Sequence, residues 1–237
     1  MMIPKKIHYC WFGGSELPPK AQACIASWKT HCPDYEIVRW DESNSPLAAC
    51  LYVRQAYEAK KWAFVSDYVR LHALCQQGGI YLDTDVELLG SLDPFLEQPA
   101  FLGFESPESV ATCVMGACQE HPVFREIMAL YETICFLKDD NSFDQTTNVA
   151  RITTFLCEKG MRSDGSRQNV CGIGIYPADY FSPKSLETGK ITLSGNSCAI
   201  HYFDASWMTS RQRFHTRLAQ WLGPERTSWL KRHLGRE

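Results

Sequence analysis

The chain has 237 residues, 45% of them hydrophobic, with a net charge of −3 and a pI of about 6.2. That length fits one domain with a sizeable core, and the charge balance excludes an electrostatic demand for nucleic acid. No apolar run reaches the roughly 18 residues of a membrane-spanning helix. The opening Met-Met-Ile-Pro-Lys-Lys is too short and too polar for a signal peptide, which predicts a cytoplasmic protein. The eleven cysteines are odd in number and include no CxxC pair, so they read as reduced thiols rather than a disulfide framework or zinc site. Cys24, Cys75, Cys135, Cys157 and Cys198 sit in apolar periodic stretches and are expected in the core.

In chain order, Ile7, Tyr9 and Trp11 alternate as in a strand that runs into Gly13-Gly14, a loop permitting close backbone approach. Pro18-Pro19 opens a helix with Ala21, Cys24, Ile25 and Trp28 at helical spacing. A second strand spans Tyr35 to Trp40. Helices follow over Leu47 to Ala59 and Trp62 to Cys75, then Gly78-Gly79 and a short strand, Ile80-Tyr81-Leu82. Strand–helix alternation of this kind predicts an α/β fold with a Rossmann-like, mainly parallel sheet and flanking helices. Further on, strands are expected over Phe101 to Phe104, Ala111 to Ala117, Ile173 to Tyr176 and Ala199 to Phe203. Helices are expected over His121 to Leu137 and Asn148 to Glu158, and residues 162–169 read as a polar loop. Repeats and linkers are lacking, so residues 1–237 read as a single domain.

Asp83 and Asp85 follow the Ile80–Leu82 strand, where an open α/β sheet binds its ligands. Like charges so close repel unless a cation sits between them, and two carboxylates suit Mg²⁺ or Mn²⁺ together with substrate phosphates. The alternative is a pair of solvated turn acids. Asp67 and Arg70, three apart on a helix, form either a local ion pair or the wall of the same cleft, facing sugar hydroxyls and phosphate. Trp11 is either core or a platform for a nucleobase. His201 is either a core residue of its strand or a third ligand beside the two acids. Residues 206–237 carry seven Arg and Lys against two Glu, interleaved with Trp221, Leu222, Trp229 and Leu230. They read as basic amphipathic helices (208–237), packed on the domain or lying on an anionic membrane surface.

Four segments together resemble glycosyltransferase family 32, and more distantly family 8 and the large glucosylating toxins. They are Ile3 to Gly14, Ser66 to Arg70, Gly78 to Asp85 and Ile200 to Trp207. The resemblance implies a GT-A fold, a nucleotide-sugar donor (a UDP-sugar), Mn²⁺ or Mg²⁺, and a product that retains the anomeric configuration. It implies a nucleotide-sugar-binding half over 1–105 and an acceptor-side half over 106–207. It assigns Asp83, Asp85 and His201 to the metal, and Trp11, Gly13, Gly14, Asp67, Arg70 and Asp83 to the donor. Ser206 and Trp207 would close over the diphosphate, with Asp144-Gln145 near the reacting carbon. Catalysis would rest on Asp83, Asp85, Arg70 and Gln145. The acceptor implied is a glycan or lipid-linked saccharide, as in bacterial surface-polysaccharide synthesis. Two other readings stay open, a metal-dependent phosphohydrolase with Asp83 as nucleophile and a non-catalytic sugar-binding scaffold.

Overall fold

The structure, a computed structural model, describes residues 2–204. Ser206, Trp207 and the tail over 208–237 lie outside the described residues. Seven strands form the main sheet: β1 (Lys6–Cys10), β2 (Glu36–Trp40), β3 (Gly79–Leu82), β5 (Ala100–Ser106), β6 (Ser109–Ala117), β7 (Gln168–Val170) and β8 (Ile173–Tyr176). Their order is β2-β1-β3-β6-β5-β8-β7. β1 runs parallel to β2 and β3, β6 is antiparallel to β3 and β5, β8 is parallel to β5, and β7 is antiparallel to β8. Five strands therefore share one direction and β6 and β7 oppose it, the mainly parallel sheet that the strand–helix order predicts.

Alternation along the strands sends side chains to two apolar layers. Ile7, Tyr9, Ile80 and Leu82 pack with Ile25 and Trp28 of α1 (Pro19–His31). Cys10 and Tyr81 face the other way. They meet residues of α2 (Leu51–Glu58), α3 (Trp62–Gln77), α4 (Pro122–Leu130) and α5 (Asn148–Glu158). α3 stops at Gly78 and Gly79, whose φ angles are +63° and +107°. A Cβ there would lie 2.7 Å from the Gln119 nitrogen or 2.8 Å from the Lys6 oxygen, so glycine alone lets β3 enter beside β1. A short α6 (Ala178–Phe181) packs against β5.

A separate two-stranded ribbon, β4 (Val86–Leu88) with β9 (Ala199–His201), was not expected for its first strand. α1 anchors it: the Trp28 indole N–H donates to the Val86 carbonyl (2.8 Å) and the Leu88 N–H to Ser27 Oγ (2.9 Å). The helix expected from His121 to Leu137 is shorter, because a 3₁₀ turn over Tyr131–Thr133 follows α4 and Ile134 is extended. Gln55 of α2 captures the Phe136 and Leu137 N–H groups (2.9 and 3.0 Å), and Phe136 is fully buried, so tertiary packing overrides the local helical pattern. The helix expected from Leu47 begins only at Leu51, and part of the expected loop 162–169 joins the sheet edge as β7. All eleven cysteines are free thiols, but Cys135 and Cys157 are exposed rather than in the core.

Candidate active site

The carboxyl ends of β1 and β3, the buried face of α3 and the ribbon enclose a cleft of about 520 Å³. A tight turn after β3, closed by the Val86 N–H on the Asp83 carbonyl (3.0 Å), holds Asp83 and Asp85 beside each other. Antiparallel pairing of the ribbon sets His201 opposite Val86 and so next to Asp85. Ligand atoms of Asp83, Asp85 and His201 all lie within 4.8 Å of one another. His201 Nε2 is 3.5 Å from Asp85 Oδ1, the Asp204 N–H donates to Asp85 Oδ2 (2.7 Å), and buried His201 Nδ1 has no partner among the described residues. Burial works against both charges of the pair. His201 outweighs it at Asp85, holding that carboxyl well below the usual carboxylate range, while Cys113 and then Asp85 hold the imidazole well above its usual value. Two hard oxygen donors and an imidazole, one nitrogen of which is orphaned, fit a divalent cation such as Mn²⁺ or Mg²⁺.

Arg70 is the hub of the wall. It is 5% exposed, and every guanidinium nitrogen has a protein partner. Nε donates to Ser66 O (3.2 Å), Nη1 to Thr112 O (2.8 Å) and Thr112 Oγ1 (3.1 Å), and Nη2 reaches Asp67 (3.1 Å) and Asp83 (3.4 Å). Its charge also lies over the Tyr81 ring at 4.6 Å, and the Tyr81 hydroxyl donates to Asp83 Oδ1 (2.9 Å). Arg70 and Tyr81 thus both address one oxygen of Asp83. Burial disfavours the guanidinium charge, but Asp83, Tyr81 and Asp67 raise its pKa overall. With all its nitrogens engaged by protein, Arg70 holds the two acids of the cleft wall in place.

Burial raises the Asp67 carboxyl to about 6, against the opposing pull of Arg70. An acid whose folded pKa exceeds its unfolded value of 3.8 contributes stability that is full below pH 3.8 and lost as pH rises toward 6. Asp67→Asn, which keeps the shape without the charge, is therefore expected to melt above the wild type at neutral pH. The gain, up to about 3 kcal/mol, should grow between pH 4 and 6 in nucleotide-free melting curves. A gap that stays flat with pH, or a less stable variant at pH 7, would count against the burial account.

Trp11 lies just past β1, lines the cleft and donates its indole N–H to Ser15 O (2.7 Å). Gly13 and Gly14, with φ of +88° and +68°, shape the rim without lining the cleft. A Cβ on Gly13 would lie 2.7 Å from Trp62 Nε1, while its N–H donates to Glu42 Oε1 (2.6 Å). Asp144 and Gln145 do not line the cleft: Arg151 and the Thr146 N–H and hydroxyl hold Asp144, and Gln145 is exposed. The start of α5 takes their place, with Thr147, Asn148 and Val149 lining the cleft. Asn148 is 2% exposed; its Oδ1 accepts from Tyr131 (3.0 Å) and its Nδ2 has no partner among the described residues. Asn148 and Glu105, a second polar residue of the cleft, were missed in the sequence. The only signal for Asn148 is its place after the N-cap Thr147, and a single sequence carries none for Glu105.

Residues 18–102 match the family described as "Glycosyltransferase sugar-binding region containing DXD motif". Inositol phosphoceramide mannosyltransferase 3 of Schizosaccharomyces pombe is 36% identical over 130 residues, 53% of this chain and 36% of that protein. Mannosyl phosphorylinositol ceramide synthase CSH1 of Saccharomyces cerevisiae is 32% identical over 139 residues, 54% of this chain and 35% of that protein. The chain spans about a third of the length of these curated relatives. Among solved structures, the glycosyltransferase GlyE of Streptococcus pneumoniae TIGR4 superposes with a TM-score of 0.53 at 9% identity, covering 91% of this chain and 60% of that chain. That likeness concerns the fold, which is of the GT-A type.

Proposed function

We propose, from the premise that residues 18–102 belong to the DXD-containing glycosyltransferase sugar-binding family, that this chain transfers a hexose from a nucleotide-sugar to a hydroxyl of a glycan or lipid-linked acceptor. The observation that carries the reading is the convergence, in one cleft, of the Asp83–Asp85–His201 triad with Trp11 and Asp67. The mannosyl and ceramide names of the relatives support mannose as the sugar and a lipid-borne acceptor headgroup. The basic composition of residues 206–237 supports an acceptor presented at an anionic surface. No helix among the described residues is long and apolar enough to cross a membrane.

Breaking the sugar–phosphate bond places negative charge on the departing diphosphate and positive charge on the sugar ring. Asp83, Asp85 and His201 would hold a divalent cation, which supplies Lewis-acid stabilisation of such a leaving group. Arg70 fixes Asp83 and Asp67 in place, so the wall needs no rearrangement during reaction. Asp67 accepts from a donor hydroxyl, the Trp11 ring packs on the base, and Asn148 Nδ2, unpartnered among the described residues, donates to a sugar oxygen. In this reading the acceptor hydroxyl attacks on the face the diphosphate leaves, its proton passes to that diphosphate, and the anomeric configuration is retained.

The test is a melting assay against UDP, GDP, CMP and their common sugar conjugates, with and without Mn²⁺. A metal-dependent rise for one nucleotide is expected. Trp11→Ala should weaken binding of that nucleotide by about 1–3 kcal/mol, the value of one base–aromatic stack. No rise with any nucleotide would remove the reading, and a rise that Trp11→Ala leaves intact would remove the stacking role.

A further inference from the structure

We infer that Glu105 is the acceptor-side carboxylate of the cleft, taking a hydrogen bond from a hydroxyl of a polyol or saccharide acceptor; this rests on the glycosyl-transfer reading above. In the β5–β6 pairing, Phe104 lies opposite Val110 and Ser106 opposite Ser109, so Glu105 is the extra residue of a bulge. Bulges beside a site redirect a side chain that regular pleating would send elsewhere, and Glu105 lines the cleft. Its carboxylate makes no hydrogen bond or ion pair among the described residues, although the residue is part-buried. Burial pushes its carboxyl up, with His201 opposing and Asp83 adding to the rise, so it faces the same acids and imidazole across the cleft.

The strand order says which ligand. Trp11 follows β1 and Asp83 follows β3, its neighbour, while β5 lies two strands beyond β3. Two strand spacings are about 10 Å. A donor laid from base to sugar runs from β1 toward β3, and Glu105 stands past its reacting end. A carboxylate there is acceptor-only and has two oxygens, which suits the paired hydroxyl donors of a polyol. The charged acceptor makes such bonds roughly twice as strong as neutral ones.

The experiment is saturation-transfer NMR on the full chain with Mg²⁺ and the nucleoside diphosphate selected by melting, using myo-inositol and methyl α-mannopyranoside as probes. The wild type is expected to bind at least one probe. Glu105→Gln should weaken that binding about tenfold, and Glu105→Asp should retain part of it. The loss should be larger for the polyol than for the nucleotide measured on the same variants. Equal losses overturn the inference, since a structural or cation-holding role gives that pattern. A wild type that binds nucleotide but neither probe overturns Glu105 alone. A wild type that binds no nucleotide sinks the transfer reading and this inference with it.

Discussion

Arg70→Met is expected to unfold at markedly lower temperature and denaturant than the wild type, by about 3–5 kcal/mol, and to lose nucleotide binding in the same step. The cost does not come from the lost methylene packing, which methionine largely keeps. It comes from Asp67 and Asp83, which both lean on Nη2 and would be left without their shared counter-charge. Breaking one side of a buried ion pair costs more than the pair itself stabilises, because a charge stays behind in a poorly solvated place. Thr112 would also lose both bonds it accepts from Nη1. Arg70→Lys should rescue little, since one ammonium cannot serve Ser66, Thr112 and two acids in a planar fork. Urea titration of the three proteins, with binding measured on the folded fraction, checks this. A methionine variant as stable as wild type would show that the network is solvated rather than buried.

Arg70 also shows what could be read from the residues and what could not. The run from Ser66 to Asp85 declared a helix, a glycine stop, a short apolar strand and two acids, and all of these are local features. The glycine pair is legible because two left-handed residues in tight contact leave no other choice. Arg70's partner Thr112 is not legible, since it depends on β6 inserting antiparallel beside β3. His201 was half legible: its strand was visible, but its place beside Asp85 depends on the unforeseen β4 and a pairing across more than a hundred residues. Asp144-Gln145 looked like a site motif because the sequence does not show Arg151 turning back from α5 to claim the acid. Glu105 depends on a one-residue slip in strand register, and nothing in the local residue pattern marks where such a slip falls.

Asp85→Asn is expected to abolish the metal-dependent rise in melting temperature and to lower transfer by about 10³-fold or more, the scale of several kcal/mol of lost transition-state stabilisation. Asparagine keeps the side-chain volume and can still accept from the Asp204 N–H, so the turn and ribbon should persist. What goes is the negative charge that attracts a cation and balances His201. Asp83 cannot stand in, because Arg70 already neutralises it from behind. His201 holds the Asp85 carboxyl well below its unfolded value, a stabilising contribution that the variant lacks at neutral pH. The variant should therefore melt below the wild type even without metal, and adding Mn²⁺ with nucleotide should widen the gap. Calorimetric titration of Mn²⁺ separates the two effects. Undiminished cation binding by Asp85→Asn would move the metal away from this triad, while lost binding with full transfer would make the chemistry independent of the cation.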